Sequence, residues 1–156
     1  MIPVAEVREA TVEDAITMAP NLREADLNEV QPASGIDPCD ALTLCGEASL
    51  KPYVAVIDED PILLCGAVDA HMEPPTGVVW MLGTDRIQEI KRQFLREGKD
   101  WLGILHEPFD VLWNLVDKRN ELHIKWLKWM GFQFLREVEE HGFEKRPFYE
   151  FVKVKD

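Results

Sequence analysis

Residues 111–132 read VLWNLVDKRNELHIKWLKWMGF, and this stretch changes period once. Val111 to Val116 is a short apolar run following Pro108, the pattern of a buried strand. From Asn120 onward Leu122, Trp126, Trp129 and Met130 recur at helical spacing and form an inward face. Asn120 supplies an N-cap, and Gly131 supplies the left-handed position that ends a helix. A strand, a tight turn and a capped helix closing in Gly131-Phe132 are therefore expected.

Working outward, Gly83-Thr84-Asp85 ends a strand and offers Thr84 or Asp85 as the cap of a helix over residues 86–97. Ile87, Ile90, Phe94 and the stem of Arg96 line its inner face, and Trp101 and Leu105 carry the pattern past Gly98. Before it, Tyr53 to Ile57, Ile62 to Val68 and Val78 to Leu82 are β-rich runs joined by turns at 58–61 and 73–77, an antiparallel meander. After it, Phe132 to Val138 and Phe148 to Val154 form a hairpin with His141-Gly142 near its turn. At the start, residues 4–9 are a strand, and Thr11 with Asp14 three residues on makes an acidic capping box for a helix from Val12 toward Arg23, interrupted at Pro20. A loop from Gln31 to Pro38 leads to a short helix near Asp40 to Ala48. The expectation is one α/β (α+β) domain over residues 1–156, without repeats or linkers.

The chain has 156 residues, 46% hydrophobic and 29% charged, which is the composition of a folded globular domain. Lys and Arg number 17 against 29 Asp and Glu, a net charge of −12. Residues 1–61 hold 13 acidic and 3 basic side chains, net −10, so the imbalance sits in the first part. A nucleic-acid binder needs a positive footprint, and this chain has the opposite. The acidic part can attract a basic partner or serve as a solubilising face. No apolar run reaches the ~20 residues of a membrane helix, and MIPVAEVREA lacks a basic stretch followed by an apolar one; the expectation is a cytosolic chain without membrane contact. Cys39, Cys45 and Cys65 are read as reduced thiols, with Cys65 inert inside an apolar strand. His71, His106, His123 and His141 fit no recurring metal spacing, so no metal is expected.

The order strand, two helices, three antiparallel strands, helix, strand, helix, two strands resembles the GNAT fold of the Gcn5-related N-acetyltransferases. Residues 7–15, VREATVEDA, look like the usual opening of that family. Val116-Asp117-Lys118-Arg119-Asn120 with Gly131-Phe132 is similar to its late motif, V-x-x-x-N and a helix closing in G-F. A narrower resemblance, to GNAT-like proteins of tailed bacteriophages including internal virion proteins of podoviruses, is carried by residues 80–84 (WMLGT), 94–96 (FLR), 112–120 (LWNLVDKRN) and 123–132 (HIKWLKWMGF). The resemblance implies a mixed, mostly antiparallel sheet splayed between the strands at 78–83 and 111–116. It also implies acetyl-CoA or CoA in that cleft, with the backbone of Trp80, Leu82, Gly83 and Thr84 along the pantetheine arm and Arg86 on a phosphate. Asn114, an amide among apolar neighbours where the cleft opens, and Asn120 at the cap of the last helix complete this set of candidate cofactor residues.

Two departures from the enzyme pattern stand out. Family enzymes bind the cofactor's pyrophosphate on a glycine-rich loop at a helix N-terminus, whereas residues 82–88, LGTDRIQ, hold one glycine and an acid that would repel phosphate. The position matching the family's general-acid tyrosine is Leu127, and Val78 to Leu82 offers no base. His71 and Glu73 read as turn residues and His123 as a packed or capping histidine; Trp80 reads as exposed, and Trp113, Trp126 and Trp129 as core. Two functions follow. One is a phage GNAT-like protein that binds a host factor during infection or a virion component during assembly, docking it on the acidic side through Glu24, Asp26, Glu29, Asp37 and Asp40. The other is an N-acetyltransferase acting on an amine.

Overall fold

Thr11 and Asp14 form the reciprocal capping box that their spacing predicts: the Asp14 carboxylate accepts from Thr11 N–H at 2.8 Å and the Thr11 hydroxyl accepts from Asp14 N–H at 3.4 Å. Burial opposes ionisation of Asp14, but the bidentate bonds from Arg8 and those from Thr11 hold its carboxyl below the ordinary range. The computed structural model describes residues 4–34, 37–142 and 144–156. Strand β1 (Glu6–Glu9) leads through this cap into α1 (Val12–Met18), which tightens into a 3₁₀ turn at Ala19–Asn21 where Pro20 withholds an N–H. Helix α2 (Glu24–Ser34) follows, so Gln31 to Ser34 belong to a helix and not to the expected loop; residues 35 and 36 of that loop lie outside the described residues. Helix α3 (Pro38–Ala48) is capped by Asp37, whose carboxylate accepts from Cys39 N–H at 3.0 Å.

The meander is present as β2 (Tyr53–Ile57), β3 (Asp60–Asp69) and β4 (Thr76–Gly83), paired antiparallel. Asp58 and Glu59 both carry positive φ, the primed-turn geometry that matches the twist of a tight hairpin. Thr84 caps a 3₁₀ turn at Asp85–Ile90 before the α-helix proper, α4 (Lys91–His106), begins five residues later than the sequence pattern predicts. Strand β5 (Val111–Asp117), α5 (Glu121–Trp129), β6 (Gln133–His141) and β7 (Arg146–Val154) complete the order. Gly131 takes φ +94°, as a C′ glycine should.

The seven strands lie in the order β1-β2-β3-β4-β5-β7-β6, and every pair is antiparallel except β4 with β5. Both faces are covered. Ile62, Val79, Leu102, Leu112, Trp126 and Phe151 belong to the core on the side of α4 and α5, while Met18, Leu42, Val54, Leu64 and Leu82 form the core beneath α1 and α3. Phe94 of α4 stacks on Trp126 of α5 with ring centroids 3.8 Å apart, fixing the two helices against each other. Gln93, buried in α4, ties down the chain start by bonding both the N–H and the C=O of Ala5. Among the described residues no helix is long and apolar enough to cross a membrane.

Candidate functional site: a split sheet closed by an acidic helix

Strands β4 and β5 pair only from Thr76↔Val111 to Val78↔Trp113 and then part. Asn114 sits where they separate: its Nδ2 donates to the carbonyl of Val79 across the gap at 2.7 Å, and its Oδ1 accepts from Leu115 N–H at 2.7 Å. A half-buried amide among apolar neighbours gains by finding partners, and these are the partners. Beyond Asn114, the N–H of Thr84 goes to Ile62 on β3 and the N–H of Gly83 points the other way. Strand alternation therefore turns the N–H and C=O of Met81 into the gap between β4 and β5.

A cavity of about 360 Å³ runs through this gap and reaches both faces of the sheet. Phe94, Trp101 and Leu102 line it on the α4 side, and Ala41, Leu44 and Trp80 on the α3 side. Glu29, Asn114 and His123 are among its few polar wall groups. Leu127, where the resemblance implies a general acid, also lines this cavity and offers only carbon.

The polar wall belongs to a cluster that the sequence pattern does not reveal. Helix α2 lies over the C-terminal end of β4: Leu22 bridges Thr84, and Arg23 N–H donates to the Gly83 carbonyl at 2.9 Å. One turn on, the fully buried Asp26 accepts from Gly83 N–H at 2.9 Å and from Asn120 Nδ2 at 3.2 Å. The Arg23 guanidinium closes the ring, 3.3 Å from Asp26 Oδ2 and 3.2 Å from His123 Nε2. Asn120 Nδ2 also donates to Glu29, while its Oδ1 accepts from His123 N–H at 3.4 Å as the helix cap. Burial, reinforced by the charge of Asp26, pushes the Glu29 carboxyl well above the usual carboxylate range. Burial, together with Arg23, lowers the His123 imidazole below its ordinary value although Asp26 pulls the other way. Asp26, Glu29 and His123 each bring one ligand atom within 4.8 Å of the others, but Arg23 already compensates their charge.

Several expectations need correction. Asp26 is buried and Glu29 is turned inward with its side chain 17% exposed, so neither lies on the acidic docking face; Glu24, Asp37 and Asp40 are exposed. The two inward carboxylates are drawn in by the donors of Gly83 and Asn120. Trp129 is 48% exposed instead of buried, with Lys99 Nζ 4.6 Å above its ring, because α5 turns Trp126 and Met130 inward and Trp129 lies off that face. Trp80 is half-buried, its Nε1 bonded to Ser49 Oγ at 2.8 Å. Trp113 is also half-buried, donating to Glu150 at 2.8 Å. Cys65 is an unreactive thiol, pushed by burial up to about 12.

The groups expected to meet a cofactor, Gly83 and Thr84 along its pantetheine arm and Arg86 on a phosphate, are engaged within the protein. Gly83 N–H is held by Asp26, the Thr84 hydroxyl accepts from Arg86 N–H at 3.3 Å, and Arg86 pairs with Asp60 at 2.8 Å and Glu89 at 2.8 Å. Leu82 points into the core beneath α1 and α3. A coenzyme A diphosphate does not fit these residues with α2 docked, because the buried Asp26 carboxylate is bonded at the start of the loop that would receive it and Arg86 is already paired with Asp60 and Glu89. The parted strands and Met81 suit a narrow arm, but its charged end has no place. Of the expected residues, Trp80, Leu82 and Asn114 line the cavity, while Gly83, Thr84, Arg86 and Asn120 are not among its wall residues.

Asp26 and Glu29 are expected from sequence only as exposed docking contacts, and Arg23 not as a site residue, because an acidic helix reads by default as solvated. Their i, i+3, i+6 repeat is itself a legible signal: it places three charges on one helix face.

Comparison with known proteins fits this geometry. The sequence profile of the family described as "Bacteriophage T7, probable scaffold protein Gp13" matches residues 66–139, which run from within β3 to within β6. No curated protein sequence matches significantly. Among solved structures, Ard1 from Thermoplasma volcanium superposes with a TM-score of 0.74 at 11% identity, over 96% of this chain and 97% of that one. The acetyltransferase of the GNAT family from Streptococcus pneumoniae gives 0.66 at 13% identity over 98% and 100%. The aminoglycoside acetyltransferase AAC(6')-Ib, solved with ribostamycin and coenzyme A, gives 0.69 at 14% identity over 97% and 93%. At such identities the likeness concerns architecture, and with the split between β4 and β5 it leads to one conclusion: the chain has the GNAT fold.

Proposed function

We propose that this chain is a phage-encoded GNAT-like protein that works by binding another protein, a virion component during assembly or a host factor in the infected cell's cytoplasm, and not by acetyl transfer. The observation that carries this reading is the Asp26 carboxylate on Gly83 N–H, which occupies a backbone donor that a cofactor's pantetheine arm was expected to meet. Leu127 in place of an acid, and β4 without an ionisable side chain, support it. The match of residues 66–139 to a family described as scaffold proteins favours assembly over a host-directed role.

The partner surface is the acidic side, where Glu24, Asp37 and Asp40 are exposed; a basic protein surface would be steered toward them. Particles purified from the phage that encodes this chain should contain it in fixed ratio. Reversing the charge at Glu24, Asp37 and Asp40 should reduce incorporation while leaving the fold intact. Absence from particles and from complexes with host proteins, together with thiol release from acetyl-CoA in the presence of an amine, would overturn the reading.

An active N-acetyltransferase is the second reading, and the gap beside Met81 favours it, since a pantetheine arm could pair there. It requires α2 to leave the Gly83 loop.

A further inference from the structure

We infer that copies of this chain associate head to tail, the outer face of α1 and α3 on one copy docking against the outer face of α4 and α5 on the next. The inference goes beyond the partner-binding reading. The two share only Asp40, which the test below leaves unaltered, so either can fail alone.

The two faces lie on opposite sides of the sheet and differ in sign. Helices α1 and α3 cover one side, and α4 and α5 the other. Helices α1 and α3 contain no Lys or Arg, and Glu13, Asp40 and Glu47 stand exposed on them. Helix α4 exposes Arg92, Arg96 and Lys99, whose i, i+4, i+7 spacing puts them on one flank. Lys99 Nζ lies 4.6 Å above the ring of Trp129, so this flank adjoins the exposed stripe of α5 that Lys125 and Trp129 form one turn apart. A chain of net charge −12 thereby carries a basic face opposite an acidic one.

The basic face is left without internal partners. Arg86, Lys118, Arg119 and Arg136 are each paired with a carboxylate, whereas among the described residues Arg92, Arg96, Lys99 and Lys125 have none within ion-pair distance. Asp100 and Glu121 are exposed on the same two helices, outnumbered there by six exposed Lys and Arg.

Each face also has an apolar centre. Val12, Ile16 and Leu44 are exposed amid the acids, and Leu95 and Trp129 amid the cations. An apolar centre with a polar rim is the anatomy of a protein interface, and opposite charge on the two rims sets which face meets which. Acid against acid, or base against base, is repulsive, so two copies do not pair through the same face. Because the two faces are on opposite sides of the sheet, a pair joined in this way still offers one of each at its ends. Such heterologous contacts build rings or filaments. The net charge opposes association at long range, but at 0.1 M salt fields decay within about 10 Å, so the facing side chains decide.

The test is sedimentation velocity on the purified chain and on two charge-reversed variants, Arg92→Glu/Arg96→Glu/Lys99→Glu and Glu13→Lys/Glu47→Lys, with circular dichroism as the check of folding. The unaltered chain should exceed the mass of a dimer as its concentration rises over roughly a hundredfold range. Its association should be roughly tenfold weaker at 1 M salt, where the screening length is about 3 Å. Each variant alone should stay monomeric, because its two faces are no longer opposite in sign. An equimolar mixture should associate, since one variant keeps the acidic face and the other the basic one. A mass that halts at a dimer, a variant that associates as the unaltered chain does, or folded variants that stay apart when mixed would each overturn the inference. A monomer throughout would also overturn it and assign the two faces to other partners. If a variant does not fold, the unaltered chain decides: growth past a dimer that weakens with salt is required, and its absence is contradictory.

Discussion

The Asp26 carboxylate accepts the N–H of Gly83 at 2.9 Å, joining helix α2 to the end of β4 across 57 residues of sequence. Because Asp26 is fully buried, Asp26→Ala strands Gly83 N–H, one donor of Asn120 and the Arg23 guanidinium together. An unsatisfied buried donor costs about 1–3 kcal/mol, so a loss of roughly 3 kcal/mol is expected in urea denaturation. Asp26→Asn, which retains one acceptor oxygen, should cost less than Asp26→Ala.

The same cluster sets a pH dependence. Glu29 has its carboxyl raised, so its contribution to stability is present below the ordinary carboxylate range and lost as pH rises through its raised value. His123 has its imidazole lowered, so its contribution is present above about 6.5 and is lost as pH falls through its lowered value. The groups facing this pair are Arg23 and Asp26 from α2, Asn120 at the cap of α5, and Asp117 at the end of β5. Urea midpoints measured against pH should therefore decline on both sides. Glu29→Gln should flatten the alkaline limb alone, and His123→Gln the acid limb alone.

Asn114 holds the point where the sheet opens. Asn114→Ala leaves the Val79 carbonyl and the Leu115 N–H without their side-chain partner, for an expected loss of about 1–3 kcal/mol. Amide exchange in residues 79–82 should quicken in this variant, since the bond crosses to β4. A change confined to β5 would show that Asn114 does not fasten the two strands.

Two tryptophans one turn apart should behave oppositely. Trp126 is buried and stacked on Phe94, so Trp126→Ala should cost about 3–5 kcal/mol. Trp129 is half-exposed under Lys99, and Trp129→Ala should cost no more than about 1 kcal/mol. Thermal denaturation of the two variants measures the contrast.

These tryptophans also show how far the sequence could be read. Element order apart from the separate helix α2, the Thr11 and Asn120 caps, the Gly131 stop and the meander were legible because each rests on neighbours within a few residues. Trp129 was misassigned because a heptad-like count cannot tell the flank of an inward face from its centre. The site was harder to read. Asn114 was legible as an amide among apolar neighbours needing partners, and the weak phosphate loop was legible from its single glycine and Asp85. The spacing of Arg23, Asp26 and Glu29 along one helix face was legible, but that this face turns inward was not, because Asp26, Gly83 and Asn120 are far apart in sequence and an acidic helix reads by default as solvated. Charge patterns report composition, and only the tertiary fold decides which carboxylates turn inward.

The most direct measurement is an acetyl-CoA titration of the unaltered chain, followed by calorimetry and by thermal denaturation. The account predicts no saturable heat and no stabilisation at millimolar cofactor, because Asp26 holds Gly83 N–H at the start of the loop that would take the diphosphate and Arg86 is paired with Asp60 and Glu89. Saturable binding, with the stabilisation of about 2.7 kcal/mol expected at a hundredfold excess over the dissociation constant, would contradict it.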